Sequence, residues 1–299
     1  MAGTSAAVLL NPVAGRGRGG GLREAVLERL RASGYDLRVL NPAGPAEADA
    51  GCRAAVADGA GALIAVGGDG TMHVALQAVA GTGVPFGIVP TGTGNDFATE
   101  AGLPADPLGA AEVIAAALAA ARTTALDLAR PTGPDGRQRW FAAVLGAGFD
   151  AIVNERANRL RFPRGPARYD LATFLELVRL RPRAYTLTLD GTAHPVHAVL
   201  IAVGNTASYG GGHRICPAAD ATDGLLDVLV AARMSRAQLT RLKPQVRRGG
   251  HVAHPLVSSY RARTVQLSGE PVVTYADGER AFPLPISVAS VPGALALLC

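Results

Sequence analysis

Lysine is almost missing: Lys243 stands alone and every other cation is arginine. Cysteine is scarce too, with Cys52, Cys216 and Cys299 far apart and no Cys-x-x-Cys pair. That excludes a disulfide framework and a zinc knuckle, and it fits a reducing compartment. No block of five or more like charges occurs, and 29 basic against 24 acidic residues leave a net charge of only +5. A dedicated nucleic-acid binder carries a stronger basic footprint, so nucleic acid is not an expected partner. The longest Ala-rich run, 110–121, carries Glu112 and falls short of a bilayer span. The start, MAGTSAAVLLNP, has no early Lys or Arg and too short an apolar stretch for a secretory signal. The expectation is a soluble, cytoplasmic protein whose membrane contact is peripheral. Also absent are the Gly-Lys-Ser/Thr of a Walker A loop and the Gly-x-Ser-x-Gly elbow of a hydrolase.

What is present is enough apolar material for sizeable cores: 48% of 299 residues, a length that favours two domains. The first 125 or so residues alternate strand and helix signals at βαβ spacing. Ala6–Leu10, the alternating Tyr35, Leu37 and Val39, the continuous run Ala62–Val66, Phe86–Val89 and Ala125–Ala129 read as strands. Leu22, Val26 and Leu30 at every fourth position, Glu47–Asp58, Thr71–Ala80 and Pro107–Ala121 read as helices. Past Pro131-Thr-Gly-Pro-Asp-Gly the pattern changes to strands: Trp140–Leu145, Ala184–Leu189, Val196–Val203, Leu225–Val230, Arg263–Leu267, Pro271–Tyr275 and Pro285–Val291. Helical patches fall at 150–179, broken at Pro163-Arg-Gly-Pro166, and after Ser235, where Ser-x-x-Gln238 reads as a capping box. The expected architecture is an α/β domain with a parallel sheet over 1–129, completed by the tail 289–299. A mostly antiparallel, sandwich-like β domain with helical insertions follows over 130–288.

Chemistry concentrates in glycine turns. Gly67-Gly68-Asp69-Gly70-Thr71 follows a buried strand and opens a helix, so its amides point at an anion. A carboxylate there repels bare phosphate and makes sense with a divalent cation between them. The plain alternative is a tight turn with Asp69 as a cap. Pro90-Thr91-Gly92-Thr93-Gly94-Asn95-Asp96 repeats the device, and Asn11-Pro12-Val13-Ala14-Gly15-Arg16-Gly17 follows the first strand. Loops at the carboxyl ends of strands in one open sheet line one crevice. Arg16 could reach a phosphate there or stand as a solvated loop cation. Asp127, inside an apolar strand, needs a partner or a metal.

In this order NPVAGRG, GGDGT and PTGTGND resemble the diacylglycerol kinase catalytic domain family, which includes bacterial soluble lipid kinases and sphingosine kinases. Gly204-Asn205 with Tyr209-Gly-Gly-Gly212, then Pro217-Ala-Ala-Asp220-Ala-Thr-Asp223-Gly224-Leu225, are similar to its second-domain signature. Asp277-Gly278-Glu279 resembles its late Asp-Gly-Glu motif. The resemblance implies an ATP:lipid phosphotransferase of phospholipid metabolism, with an NAD-kinase-like first domain and a β-rich second one. It implies that Gly67–Thr71, with Asn11, Arg16, Thr91, Gly92, Thr93, Gly94 and Asn95, hold ATP. Asp69, Asp96 and Asp127 would form a carboxylate network around Mg²⁺. Asp277, with Glu279, would take the proton of the lipid hydroxyl, Asp69 being the rival for that role. A second, structural Mg²⁺ would sit on Asp223, with main-chain oxygens near Asp220 and Leu225. Arg16 stands where the family usually has lysine, and its forked head is not a lysine's point charge.

Two readings compete: an NAD kinase, which shares GGDGT, and a non-catalytic lipid- or nucleotide-binding relative. PTGTGND resembles the lipid branch, and intact Asp69, Asp96, Asp127, Asp277 and Glu279 speak against a dead relative. Without the resemblance, Asp220 and Asp223 read as turn residues. The pairs His194/His197 and His251/His254 show no third ligand and read as surface or structural residues. Arg156, Arg159, Arg161, Arg164 and Arg168 surround Phe162, and Arg233, Arg236, Arg241, Lys243, Arg247 and Arg248 form a second cluster. Both are solvated helix faces or, in a lipid kinase, attractions for anionic headgroups. The expected partners are a lipid at a membrane surface and, by symmetry, a second copy in a closed dimer.

Overall fold

Strands buried on both faces need apolar residues at every position, and Ala62–Gly67 supplies them without interruption. In the computed structural model, which describes residues 5–11, 19–163 and 166–299, this segment is the middle of a parallel sheet. The chain divides into two units, residues 1–128 with 292–299, and residues 129–291.

The first unit runs β1 (Ser5–Leu10), α1 (Gly19–Arg31), β2 (Asp36–Leu40), α2 (Pro45–Ala57), β3 (Ala62–Gly67), α3 (Asp69–Val79) and β4 (Phe86–Pro90). It continues through α4 (Asp96–Glu100), α5 (Pro107–Ala119) and the start of β5 (Thr124–Thr132). The parallel order is β4-β3-β1-β2, as βαβ crossovers dictate. One face of the sheet meets α1 and α5 in a cluster of Val8, Leu10, Val26, Leu30, Ile64, Val66, Ile114 and Leu118. Leu22, placed by periodicity on the same helix stripe, is exposed; Leu27 takes its place in the core. Asp106 caps α5 by accepting the Gly109 N–H at 2.7 Å, with Pro107 at the first helical position.

The second unit runs from the end of β5 through β6 (Val144–Gly148), α6 (Phe149–Arg159), α7 (Pro166–Val178), β7 (Arg183–Leu189) and β8 (Thr192–Gly204). Then come β9 (Leu226–Ala232), α8 (Arg236–Val246), β10 (Val257–Ala262), β11 (Thr264–Gly269), β12 (Val273–Ala276), β13 (Glu279–Pro283) and β14 (Ile286–Leu297). All its ladders are antiparallel, in the order β13-β12-β6-β8-β7-β11-β14, with β9 paired to β8 and β10. Leu145, Tyr185, Leu187, Ile201, Val203, Val228, Val265 and Val288 form its main core. The capping box at Ser235 and Gln238 is formed as the sequence indicates. β14 continues past the second unit, and its Leu297 pairs in parallel with Phe86 of β4.

One expected strand starts later, and two strands are not announced by the sequence. The strand expected at Trp140–Leu145 begins only at Val144, because the Asp277 carboxylate rather than a neighbouring strand takes the amides of 142–144. β10 does not alternate in burial, so its sequence carries no strand period. β13 was hidden by its charged start, Glu279-Arg280.

Candidate functional site

Parallel register brings the three glycine turns of the first unit side by side. Leu10 is level with Val66, and Gly67 with Pro90. The residues that follow close the ladders: the Asn11 N–H donates to the Val66 carbonyl at 3.2 Å and the Thr91 N–H to the Gly67 carbonyl at 2.9 Å. Asn11 Nδ2 then donates to the Thr71 hydroxyl at 3.0 Å, tying the end of β1 to the first turn of α3. The two loops pack backbone on backbone. A Cβ on Gly92 would fall 2.7 Å from Gly68 Cα and 2.9 Å from Asn95 Oδ1. Only glycine leaves room for that approach. Gly68 caps α3 without a side chain; its carbonyl takes the Thr71 and Met72 amides at 3.0 and 3.1 Å, and the Asp69 and Gly70 amides ahead of them are the helix-terminal donors. Gly70, Gly92 and Thr93 are exposed, and the Thr91 hydroxyl is buried without a hydrogen-bond partner. Arg16 lies outside the described residues.

Asp69 organises the second loop. Its Oδ2 accepts the Asn95 N–H at 2.9 Å and its Oδ1 the Asp96 N–H at 3.1 Å, so it fixes the start of α4, where Asn95 sits at φ 56°. Gly94 lies between the two acids: a Cβ there would be 2.5 Å from Asp69 Oδ2 and 3.9 Å from Asp96 Oδ2. Two carboxylates beside helix-terminal amides suit a magnesium–polyphosphate, because Mg²⁺ uses one or two carboxylates and takes its other ligands from phosphate and water. Asp127 is not part of a three-carboxylate cluster. Among the described residues no three His, Cys, Asp or Glu side chains come together as an ion-holding group. Asp127 is buried and accepts the Gly293 N–H at 2.8 Å, joining β5 to the returning tail.

In the second unit Asp277 and Gly278 are the two-residue turn of the β12–β13 hairpin, at φ 50° and 80°. Positive φ at both positions is the geometry that Asp-Gly is selected for. The Asp277 carboxylate accepts three main-chain amides, Ala142 at 2.8 Å, Ala143 at 2.9 Å and Val144 at 3.3 Å. Asn205, fully buried, takes the other side of the same segment. Its Nδ2 donates to the Ala142 carbonyl at 2.8 Å and its N–H to the Ala143 carbonyl at 2.8 Å. Two motifs far apart in sequence thus clamp one three-residue stretch. Glu279 is exposed at the start of β13.

Sequence reasoning missed Asp150, in the first turn of α6. Its carboxylate occupies the space beside Gly146, where any Cβ would collide with it, and it accepts the Ala151 N–H at 2.8 Å and the Tyr209 hydroxyl. Burial pushes its carboxyl up to about 7. Burial, then the Asp150 charge, pushes the Tyr209 phenol well above its ordinary value. The available signal was Gly146-Ala-Gly148-Phe-Asp150, another strand–glycine–acid–helix junction.

The second-unit cation does not fit. Asp220 Oδ1 accepts the Thr222 N–H at 3.0 Å and its hydroxyl at 2.7 Å. Asp223 Oδ1 accepts the Leu225 N–H at 2.9 Å, and its Oδ2 is paired with Arg261. Arg261 is the cross-strand neighbour of Asp227, and its Nε lies 3.3 Å from Asp227 Oδ2. A guanidinium therefore supplies the positive charge that the resemblance gave to a metal. Of the paired histidines, His251 is buried with Nε2 3.0 Å from the Ile215 carbonyl, and His194 packs against Tyr260.

Comparison with known proteins places this geometry. Residues 5–130 match the diacylglycerol kinase catalytic domain, and residues 143–299 match the YegS C-terminal NAD kinase beta sandwich-like domain. A Mycobacterium tuberculosis protein named diacylglycerol kinase is 43% identical over 292 residues, 97% of this chain and 93% of its own length. A Xanthomonas oryzae protein named "Probable lipid kinase YegS-like" is 33% identical over 92% of this chain and 90% of its own. Two Bacillus anthracis crystal structures share the fold. One superposes with a TM-score of 0.82 at 22% identity, covering 100% of this chain and 96% of that one. The other, described as a diacylglycerol kinase, has a TM-score of 0.73 at 20% identity, covering 99% and 96%.

Proposed function

The chain belongs to the diacylglycerol kinase catalytic-domain family, and from that premise we propose that it transfers the γ-phosphate of ATP, with Mg²⁺, to the primary hydroxyl of diacylglycerol or a similar lipid. The observation that carries the reading is the pair of glycine loops packed backbone on backbone, with Asp69 and Asp96 flanking Gly94. Gly68, Asp69 and Gly70 offer main-chain amides to the phosphates, while the Thr71 N–H is taken by the Gly68 carbonyl at 3.0 Å. Asp69 and Asp96 would hold the magnesium, which when bound would neutralise charge on the transferred group. Asn11 keeps Thr71 in place, and Thr91 offers an unspent buried hydroxyl. Asp277 accepts the hydroxyl proton of the lipid. Three amides fix its rotamer, and a loose transition state asks little deprotonation before attack. Glu279, exposed beside it, assists. The lipid is met at a membrane surface; among the described residues no helix is long and apolar enough to cross one.

Incubation with γ-labelled ATP and Mg²⁺, offered diacylglycerol or NAD, tests the reading. Label in phosphatidic acid supports it. Label in NADP, or in neither product, overturns it.

A further inference from the structure

The hairpin that carries Asp277 is lightly held by the sheet. β13 ends the strand order, and β12 pairs with β6 at two positions, Tyr275 with Gly146 and Ala276 with Leu145. The β12–β13 register also slips between Val273 and Tyr275. A short, irregular ladder at a sheet edge leaves the attitude of a hairpin to its side chains. One tie is the Asp277 carboxylate on the amides of 142–144. A second comes from Glu155, in the middle of α6.

Tyr275 and Arg280 are cross-strand partners, one on each side of the turn. Both reach the same oxygen. Glu155 Oε2 accepts the Tyr275 hydroxyl at 2.7 Å and the Arg280 Nε–H at 3.2 Å. Asn158, on the next turn of α6, donates its Nδ2 to the Tyr275 hydroxyl at 3.3 Å. The phenol oxygen of this buried tyrosine therefore both donates and accepts. The other carboxylate oxygen, Oε1, takes exposed Arg159 at 2.7 Å. The Tyr275 hydrogen bond, followed by those of Arg159 and Arg280, outweighs burial and holds the Glu155 carboxyl below its ordinary range. The first turn of α6 touches the same strand pair, since Asp150 fills the space beside Gly146, the partner of Tyr275. α6 thus grips at two points the strands that present Asp277. Arg280 is exposed, so its ion pair by itself stabilises little. Its position gives the contact its consequence: Tyr275 lies two residues before Asp277, and Arg280 follows Glu279 directly.

We infer that Glu155 is a positioning residue for phosphoryl transfer: through Tyr275 and Arg280 it sets the attitude of the β12–β13 hairpin, and with it the place from which Asp277 meets the acceptor hydroxyl. The inference rests on the lipid-kinase reading and deepens the role given there to Asp277. Displacing a reacting group by about 1 Å costs on the order of a hundredfold in rate, so this tie is felt in turnover before it is felt in stability.

The test compares Glu155→Ala, Glu155→Gln and Tyr275→Phe in the full chain. Glutamine can keep both hairpin bonds, because its amide oxygen takes the place of Oε2 while its NH₂ turns toward Arg159, which water can serve instead. With ATP and diacylglycerol, alanine should lower kcat by about tenfold or more and leave KM for ATP within about twofold of the parent. Glutamine should return kcat to within about threefold of the parent. Tyr275→Phe should lower kcat as well, and combining it with Glu155→Ala should cost little more than either alone. Arg159→Gln, which removes the outward contact, should leave kcat unchanged. Hydrogen exchange read by mass spectrometry gives a measure without turnover: in Glu155→Ala the amides of 142–144 should exchange about tenfold faster while those of β8 and β9 keep the parent's rates. Should the alanine variant fail to fold, Tyr275→Phe, which removes one hydroxyl, carries the same comparison. If exchange responds in this way while the parent phosphorylates no lipid, the tie stands and the kinase reading falls. A parental kcat in Glu155→Ala, a loss that glutamine does not restore, or exchange raised equally across the second unit would overturn the inference.

Discussion

Asp277→Asn separates what Asp277 holds from what it reacts with. The carboxylate accepts three amides, two of them on Oδ1 and one on Oδ2. Asparagine suits the same left-handed turn position, so the hairpin itself is kept. However, an amide has one acceptor oxygen, and its NH₂ would then face the Ala142 N–H or the Ala143 and Val144 pair. At least one hydrogen bond to a charged group is lost, at about 1.5–3 kcal/mol, and a donor is left facing a donor at a further ~1 kcal/mol or more. The sum is on the order of 3 kcal/mol, which for a unit of this size lowers the melting temperature by about 6–12 °C. Thermal unfolding followed by circular dichroism reads it, with exposed Glu279→Gln as the control that should not shift. Turnover is then measured well below the lowered midpoint. The expected outcome is a large Tm drop together with loss of lipid phosphorylation by orders of magnitude. A Tm within about 1 °C of the parent would refute the clamp, since three amide bonds to one carboxylate cannot vanish without cost.

Gly92→Ala places a methyl 2.7 Å from Gly68 Cα, so it should splay the two loops and weaken ATP binding by about tenfold or more in a nucleotide titration. Gly21→Ala, with nothing within 4 Å, should be neutral or slightly stabilising. Asp150 gives a pH signature: burial raises its folded carboxyl to about 7, well above the ordinary carboxylate range, so the folded state binds more protons in between. Stability therefore falls as pH rises through that window. Asp150→Asn should recover stability on the order of 3 kcal/mol more at pH 8 than at pH 4, read as a relative gain in Tm. An equal offset at both values would contradict the burial of the charge. With Arg261 bridging Asp223 and Asp227, EDTA should leave the melting temperature of the ligand-free protein unchanged. Arg261→Met should lower stability by about 1–2 kcal/mol and the melting temperature with it, because two carboxylates then face each other and the pair is part-exposed.

The parallel half of the fold was legible because its strands obey one rule each. Ala62–Val66 is apolar throughout, as a strand covered on both faces must be, and the turn after it opens a helix at the expected glycine. The nucleotide-type loops followed from the same regularity, since parallel strands put their carboxyl ends on one edge. Other features depend on residues distant in sequence. Asp277 finds its amides 133 to 135 positions away, and no local pattern announces that a turn residue will replace a strand neighbour. Asp223 looks like a metal ligand until Arg261 arrives from the next strand, 38 residues on. The α7 sequence has the composition of a core helix, and only its exposure shows that most of its apolar face is left open. Asp150 was overlooked because burial, which gives it its character, is a property of the packed chain.

The claim on which the rest depends is that Asp69 and Asp96, in loops joined at Gly68 and Gly92, hold a magnesium-bound nucleotide. Calorimetric titration of ATP into the intact chain, with Mg²⁺ and with EDTA, tests it most directly when repeated on Asp96→Asn, which removes one acid without disturbing the amides held by Asp69. The account predicts binding that needs Mg²⁺ and that weakens by about tenfold or more in the variant. Tight ATP binding that is indifferent both to EDTA and to the loss of Asp96 would contradict it.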